Sequence, residues 1–213
     1  MWDYIVGLRT DLAFDSYQHL SMVVQALVLA TVLALLVAVL VTRVKVLEPV
    51  ANAISAIGLT IPSFALLGLM LPLFGIGVGS AFPAVVFYAL LPIMRNAVVG
   101  LQNVDSTLLE SARGMGMNSV MTLVRVQLPL AWPVILTGIR VSAQMTMGVA
   151  AIAAYVLGPG LGKYIFTGLS QYGGATALYS ALVGTIGVVI LAVILDLLLV
   201  LLGRLTTSKG IRV

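Results

Sequence analysis

Arg140 and Asp196 are charges set far inside apolar runs, and a charge there needs a partner or water. Three chemistries are open to them: an ion pair with each other, a place beside a wet vestibule, or snorkelling towards the surface. A proton relay is the poorer reading, because Asp196 has no histidine beside it. The single histidine, His19, falls at the predicted outer mouth of the first apolar run and reads as an interfacial residue. The stretch 158–164, "GPGLGKY", looks like a phosphate loop. That motif needs four residues between Gly and Gly-Lys, then Ser or Thr. Only three separate Gly158 from Gly162 here, and Tyr164 replaces the hydroxyl residue. No nucleophile, base and oxyanion donors cluster together, and no metal-ligand spacing occurs, so no catalytic residue and no metal site is expected. With no cysteine, disulfides and thiolate chemistry are excluded as well.

These residues sit on a chain that is 61% hydrophobic and only 8% charged. Soluble domains carry roughly 25% charged residues, so the solvent expected here is a bilayer. Crossing one takes about 20 apolar residues. Five segments qualify, at about 20–41, 50–74, 81–99, 130–157 and 177–202. The reading is an all-α membrane protein whose residues 1–213 form a single transmembrane domain. The first 19 residues hold Asp3, Asp11 and Asp15 and lack a basic start, which does not suit a cleaved signal, so the start is expected to be retained. The net charge of +4 is spread singly between spans. It reads as an orientation signal, with no nucleic-acid partner. With the N-terminus outside, Arg43, Lys45, Arg95, Arg113, Arg125, Arg204, Lys209 and Arg212 fall inside, against Arg9 and Lys163 outside. That bias predicts N-out, C-in, with residues 103–128 in the cytoplasm and 158–176 as the one sizeable outer loop.

Arg140 follows Pro129 by 11 residues, about 16 Å of helix, and Asp196 precedes Gly203 by seven, about 10 Å. Similar depths put the two side chains within reach of each other. In the second segment, Pro62 cannot donate to the carbonyl of Gly58. The stretch 58–64, "GLTIPSF", is therefore either a kink at which Pro62 and Ser63 line a path, or a structural kink with Thr60 or Ser63 satisfying the backbone.

Residues 110–129, "ESARGMGMNSVMTLVRVQLP", break the apolar pattern. Asp105 suits an N-cap. Leu108, Ala112 and Met115 recur at i, i+4 and i+7 as one apolar face. Gly116 suits a helix end, Asn118 or Ser119 the next cap, and Pro129 the first turn of the following span. The product is a helix–turn–helix between the third and fourth spans. It serves either to dock a partner or to lie on the membrane face with its arginines near lipid headgroups.

The spacing of this stretch resembles the cytoplasmic signature of permease subunits of type I ATP-binding-cassette importers. That signature runs E-A-A, three residues, Gly, nine residues, Ile, one residue, Leu-Pro. Here it reads Glu110-Ser111-Ala112, Gly116, Val126 and Leu128-Pro129, with Ser111 in place of Ala and Val126 in place of Ile. The stretches 60–77, 88–105 and 112–117 are similar to the branch that imports quaternary-ammonium osmoprotectants such as glycine betaine, carnitine and choline. Related branches carry other solutes, ergothioneine or an amino acid among them, and a stand-alone secondary transporter is the more distant alternative. The resemblance implies a multi-pass subunit of the bacterial plasma membrane that is no enzyme. It implies no cofactor on this chain, since ATP is bound by separate cytoplasmic ATPase subunits. Its partners would be those ATPases, a second permease copy or paralogue, an extracytoplasmic solute-binding protein meeting loop 158–176, and membrane lipid. Glu110 and Arg113 would make charged contacts with the ATPase. Quaternary amines are held by aromatic faces. Tyr88 and Tyr155 are therefore either weak contacts along the path or ordinary packing residues.

Overall fold

The computed structural model describes residues 1–207, all of its regular structure helical. Lys209 and Arg212, two of the charges behind the orientation, lie outside the described residues. A short α1 (Trp2–Gly7) leads into α2 (Arg9–Arg43). There follow α3 (Glu48–Thr60), α4 (Ser63–Phe74) and α5 (Val78–Gln102). The hairpin helices α6 (Ser106–Gly114) and α7 (Ser119–Thr122) come next, then α8 (Leu128–Ile152), α9 (Gly162–Ser170) and α10 (Ala177–Thr206).

The centre of the bundle is α5, packed between α2 and α8. Its inward positions include Ala81, Ala84, Ala89, Ala97 and Gly100, and α2 answers with Ala26, Ala30, Ala34 and Ala38, all fully or nearly buried. Small residues at such spacing let backbones approach closely where no hydrophobic effect drives helices together. By contrast α10 turns Leu182, Ile186, Val189, Ile190, Val193 and Leu197 outwards. A long helix with so much exposed hydrocarbon belongs against lipid. Among the described residues four helices are long and apolar enough to span a membrane, and five if the bent pair α3–α4 counts as one span.

Two expectations are corrected, that of an interfacial His19 and that of a kink within 50–74. The apolar run 20–41 lies inside α2, a continuous 35-residue helix from Arg9, about 52 Å long. Its polar first turns are helical though largely exposed, so His19 lies well inside α2, and it is fully buried. The interfacial reading of His19 therefore fails. Its Nε2 lies 3.2 Å from the Met147 carbonyl oxygen, and the backbone of Gly160 presses on its ring. Gly160 has φ +111°, and a Cβ there would come within 2.6 Å of Nδ1, so only glycine fits.

The second correction concerns 50–74. This is a broken segment and not a kinked helix, with α3 and α4 meeting at 100°. Ile61 and Pro62 are both extended, with ψ 124° and 136°, as steric pressure from a proline ring on its preceding residue dictates. Local groups meet the cost of the break. The Gly58 carbonyl, which Pro62 cannot serve, accepts from the Ile61 N–H, and Thr60 Oγ1 donates to the Ile57 carbonyl at 2.7 Å. The Tyr88 hydroxyl donates to the Ile61 carbonyl. Tyr88→Phe should therefore leave a carbonyl unpaired in an apolar setting and lower stability by about 1–3 kcal/mol. Thermal unfolding in lipid nanodiscs checks this, and an unchanged midpoint would remove the bond from the account.

Candidate coupling site

The helix pair at 105–128 is built by local capping. The Asp105 carboxylate accepts from the Thr107 N–H at 2.8 Å, which starts α6 and holds the acid below its ordinary pKa. At the other end, the Met117 N–H bonds the Ala112 carbonyl and the Gly116 N–H bonds that of Arg113. This is a Schellman end, with Gly116 in the left-handed region at φ +83°. Asn118 then caps α7, its side chain accepting from the Met121 N–H at 2.8 Å.

Pro129 sits in the first turn of α8, as expected. What the sequence does not show is that α8 continues the hairpin: from Ser119 to Val156 the chain is one helical run, with a π-helical turn over Leu123–Gln127. A proline inside a helix lacks a donor and crowds the carbonyl four residues back, here that of Arg125. The wider π turn sits where that crowding would fall. Hairpin and fourth span are thus mechanically continuous.

Two side chains clamp the hairpin to other spans. Arg43, the last residue of α2, donates from Nη2 to the Ser119 carbonyl at 3.1 Å, and Gln127 donates from Nε2 to the Leu101 carbonyl near the end of α5 at 3.1 Å. Thr42, Leu109 and Arg113 complete a crevice at this joint. The hairpin is thus joined to α2 and α5 by hydrogen bonds and to α8 by the continuous helix.

The exposed side of the hairpin is half apolar. Of the apolar face Leu108, Ala112 and Met115, only Ala112 is buried, while Leu108 and Met115 are exposed. Val120 and Val124 are exposed too, as are Glu110, Arg113 and Arg125. Among the described residues neither Glu110 nor Arg113 has a hydrogen-bond or ion-pair partner. Ser111 donates to the Thr107 carbonyl at 2.7 Å. Val126 and Leu128 are half-buried and Pro129 is exposed. A clamped lever with apolar knobs and free charges can engage a protein surface.

Arg140 and Asp196 meet at the same end of the bundle as a two-point pair, Nε to Oδ1 and Nη2 to Oδ2, both 2.9 Å. This ties α8 to α10, as does Trp132 Nε1 donating to Thr206 Oγ1 at 2.7 Å. The four sequence candidates for a path are split. Pro62 and Ser63 lie at the α3–α4 break. Tyr88 is buried and tied to it by its hydroxyl. Tyr155 is 66% exposed at the other end of α8.

One constellation had no local signal in the sequence. Asp15, buried on α2, accepts from the Tyr164 hydroxyl at 2.7 Å and pairs with Lys163 Nζ at 2.6 Å. Burial first, and then the bond to Asp15, raise the pKa of Tyr164. Ser180 donates to the Tyr164 carbonyl at 2.8 Å, so α9 is latched to both α2 and α10. Tyr164→Phe should cost about 1–3 kcal/mol, because the carboxylate loses a buried donor. Tyrosine at 164 stays protonated across the physiological range, so the loss should be independent of pH between about 6 and 9. Thermal unfolding at several pH values reads both.

With this geometry in view, comparisons with known proteins are specific. The profile of the family described as binding-protein-dependent transport system inner membrane component matches residues 12–208. The osmoprotectant import permease OsmW of Salmonella typhimurium is 40% identical over 214 residues, 98% of each chain. The choline transport permease OpuBB of Bacillus subtilis is 37% identical over 202 residues, 95% of this chain and 91% of its own. The carnitine transport permease OpuCB of Listeria monocytogenes is 38% identical, with the same coverage. Among solved structures, an inward-facing form of the methionine transporter MetNI superposes with a TM-score of 0.72 at 26% identity, covering 92% of this chain and 96% of that one.

Proposed function

Because this chain belongs to the family of binding-protein-dependent transport inner membrane components, a membrane transport subunit working with an ATPase and a substrate-binding protein, we propose that it forms the path for quaternary-ammonium osmoprotectants. Relatives named for choline, carnitine and osmoprotectants over nearly their whole length support that substrate class. The observation that carries the mechanism is the clamped hairpin, with Glu110 and Arg113 exposed and unpartnered beside Leu108, Met115, Val120 and Val124.

The chain lies N-out and C-in, so the hairpin stands in the cytoplasm. Two ATPase subunits grip the hairpins of two permeases, identical or paralogous. When the ATPases close, each hairpin moves as a rigid body. The π turn continues it into α8, and Arg43 and Gln127 carry the motion to α2 and α5. At the opposite end, α9, latched by Asp15, faces the binding protein that delivers the solute. The chain holds no cofactor of its own, and ATP is bound by the partner.

Reconstitution in proteoliposomes with the ATPase and binding protein tests this, scoring uptake of labelled glycine betaine, choline and carnitine. The expected result is uptake that needs ATP and both partners. Uptake by the permease alone, without ATP, would replace this reading with that of a solitary carrier.

A further inference from the structure

Phe64, Tyr155 and Phe166 come from three elements far apart in the chain: the start of α4, the 3-10 turn after α8, and α9. They nevertheless form one cluster. Ring centroids are 5.3 Å apart for Phe64 and Tyr155, 5.6 Å for Tyr155 and Phe166, and 6.3 Å for Phe64 and Phe166. Phe64 stands nearly perpendicular to the other two rings, at 82° and 88°. A cation seated above the plane of the three centroids would lie within about 6 Å of each, the range in which ring faces attract cations. Phe64 and Tyr155 are exposed, and Phe166 is half-exposed.

The cluster stands at the end of the bundle away from the hairpin. Tyr155 follows the fourth span there, and Phe166 lies on α9, the helix assigned above to face the binding protein. Phe64 lies two residues past Pro62, at the 100° break. Pro62 and Phe64 are both exposed on this chain, so the rings border irregular backbone on the side where solute would arrive. The cation on the same helix, Lys163, is neutralised by Asp15 and does not compete for the ring faces.

Resting on the substrate class given under Proposed function, we propose that Phe64, Tyr155 and Phe166 form a transit site that holds the trimethylammonium group of the solute after its release from the binding protein. With three rings and no carboxylate of its own, the cluster binds weakly, which suits a site that must let go.

Ring fluorination tests this without changing shape, since each fluorine weakens the negative face of the ring. The complete importer, carrying phenylalanine with none, one, two or three ring fluorines at position 64 or 166, is assayed for ATP-driven uptake of glycine betaine and choline. Uptake should fall stepwise, by roughly 2- to 30-fold across the series, the span an ordinary cation–π contact implies. Tyr155→Phe should retain uptake and Tyr155→Leu should lose it. Uptake that is flat across the fluorine series makes the cluster a packing or anchoring feature and overturns the site while leaving the substrate class intact. An unmodified importer that carries neither solute overturns the substrate class itself.

Discussion

Replacing Asp196 with Asn, Arg140 left in place, is expected to remove most of the assembled protein, and replacing Arg140 with Gln should do nearly as much harm. The carboxylate and guanidinium make two parallel 2.9 Å bonds between α8 and α10, and both helices belong to membrane-length runs. A lone arginine in a transmembrane helix costs about 2.5–3.5 kcal/mol on insertion scales, roughly a hundredfold in the folded fraction. The side chains are 38% and 23% exposed on the single chain. Their outer side therefore meets lipid, a partner subunit or a wet cavity. The double variant, Arg140→Gln with Asp196→Asn, places two neutral amides where the charges stood and should recover most of the loss. Yield of monodisperse protein and thermal midpoint, taken through the double-mutant cycle, measure the coupling. Losses that simply add would show that the two residues act separately.

Glu110→Lys is the second large effect, and its logic is opposite. Glu110 is exposed and has no partner among the described residues, so reversing its charge leaves the fold alone. Insertion and thermal midpoint should be unchanged, while ATP-driven uptake falls at least tenfold, the scale of removing one charge-assisted contact from an interface. Gly116→Val should act through backbone strain. A Cβ at 116 meets open space, but φ of +83° suits a β-branched residue badly. Its cost of about 1–2 kcal/mol falls on the turn that presents Glu110 and Arg113. Normal uptake with Lys at 110 would take this residue out of the coupling surface.

What could be read in the sequence followed from local physics. Apolar run lengths located the membrane helices. Capping chemistry marked Asp105, Gly116 and Asn118, and depth along a helix brought Arg140 near Asp196. What could not be read depended on distant residues. Asp15, near the start of α2, can be buried because Tyr164 and Lys163, almost 150 residues on, satisfy it. Pro62 announced a disturbance, but whether a proline kinks a helix or breaks it depends on partners for the freed groups, and Tyr88 supplies one from α5. Pro129 stands in the first turn of α8, as prolines favour, but the π turn that joins α8 to the hairpin has no sequence mark. Of the aromatic cluster only Tyr155 stood out by residue type, because Phe64 and Phe166 come near it only through the fold.

The central claim is that the hairpin stands in the cytoplasm as a lever gripped by an ATPase. Because the chain has no cysteine, Met115→Cys, on a side chain 71% exposed, creates a single reporter thiol. A membrane-impermeant maleimide should fail to label it in intact spheroplasts and label it in inverted vesicles stripped of the ATPase, and adding the ATPase back should protect it. Labelling in intact spheroplasts, or labelling in stripped vesicles that the added ATPase leaves unchanged, would contradict the account.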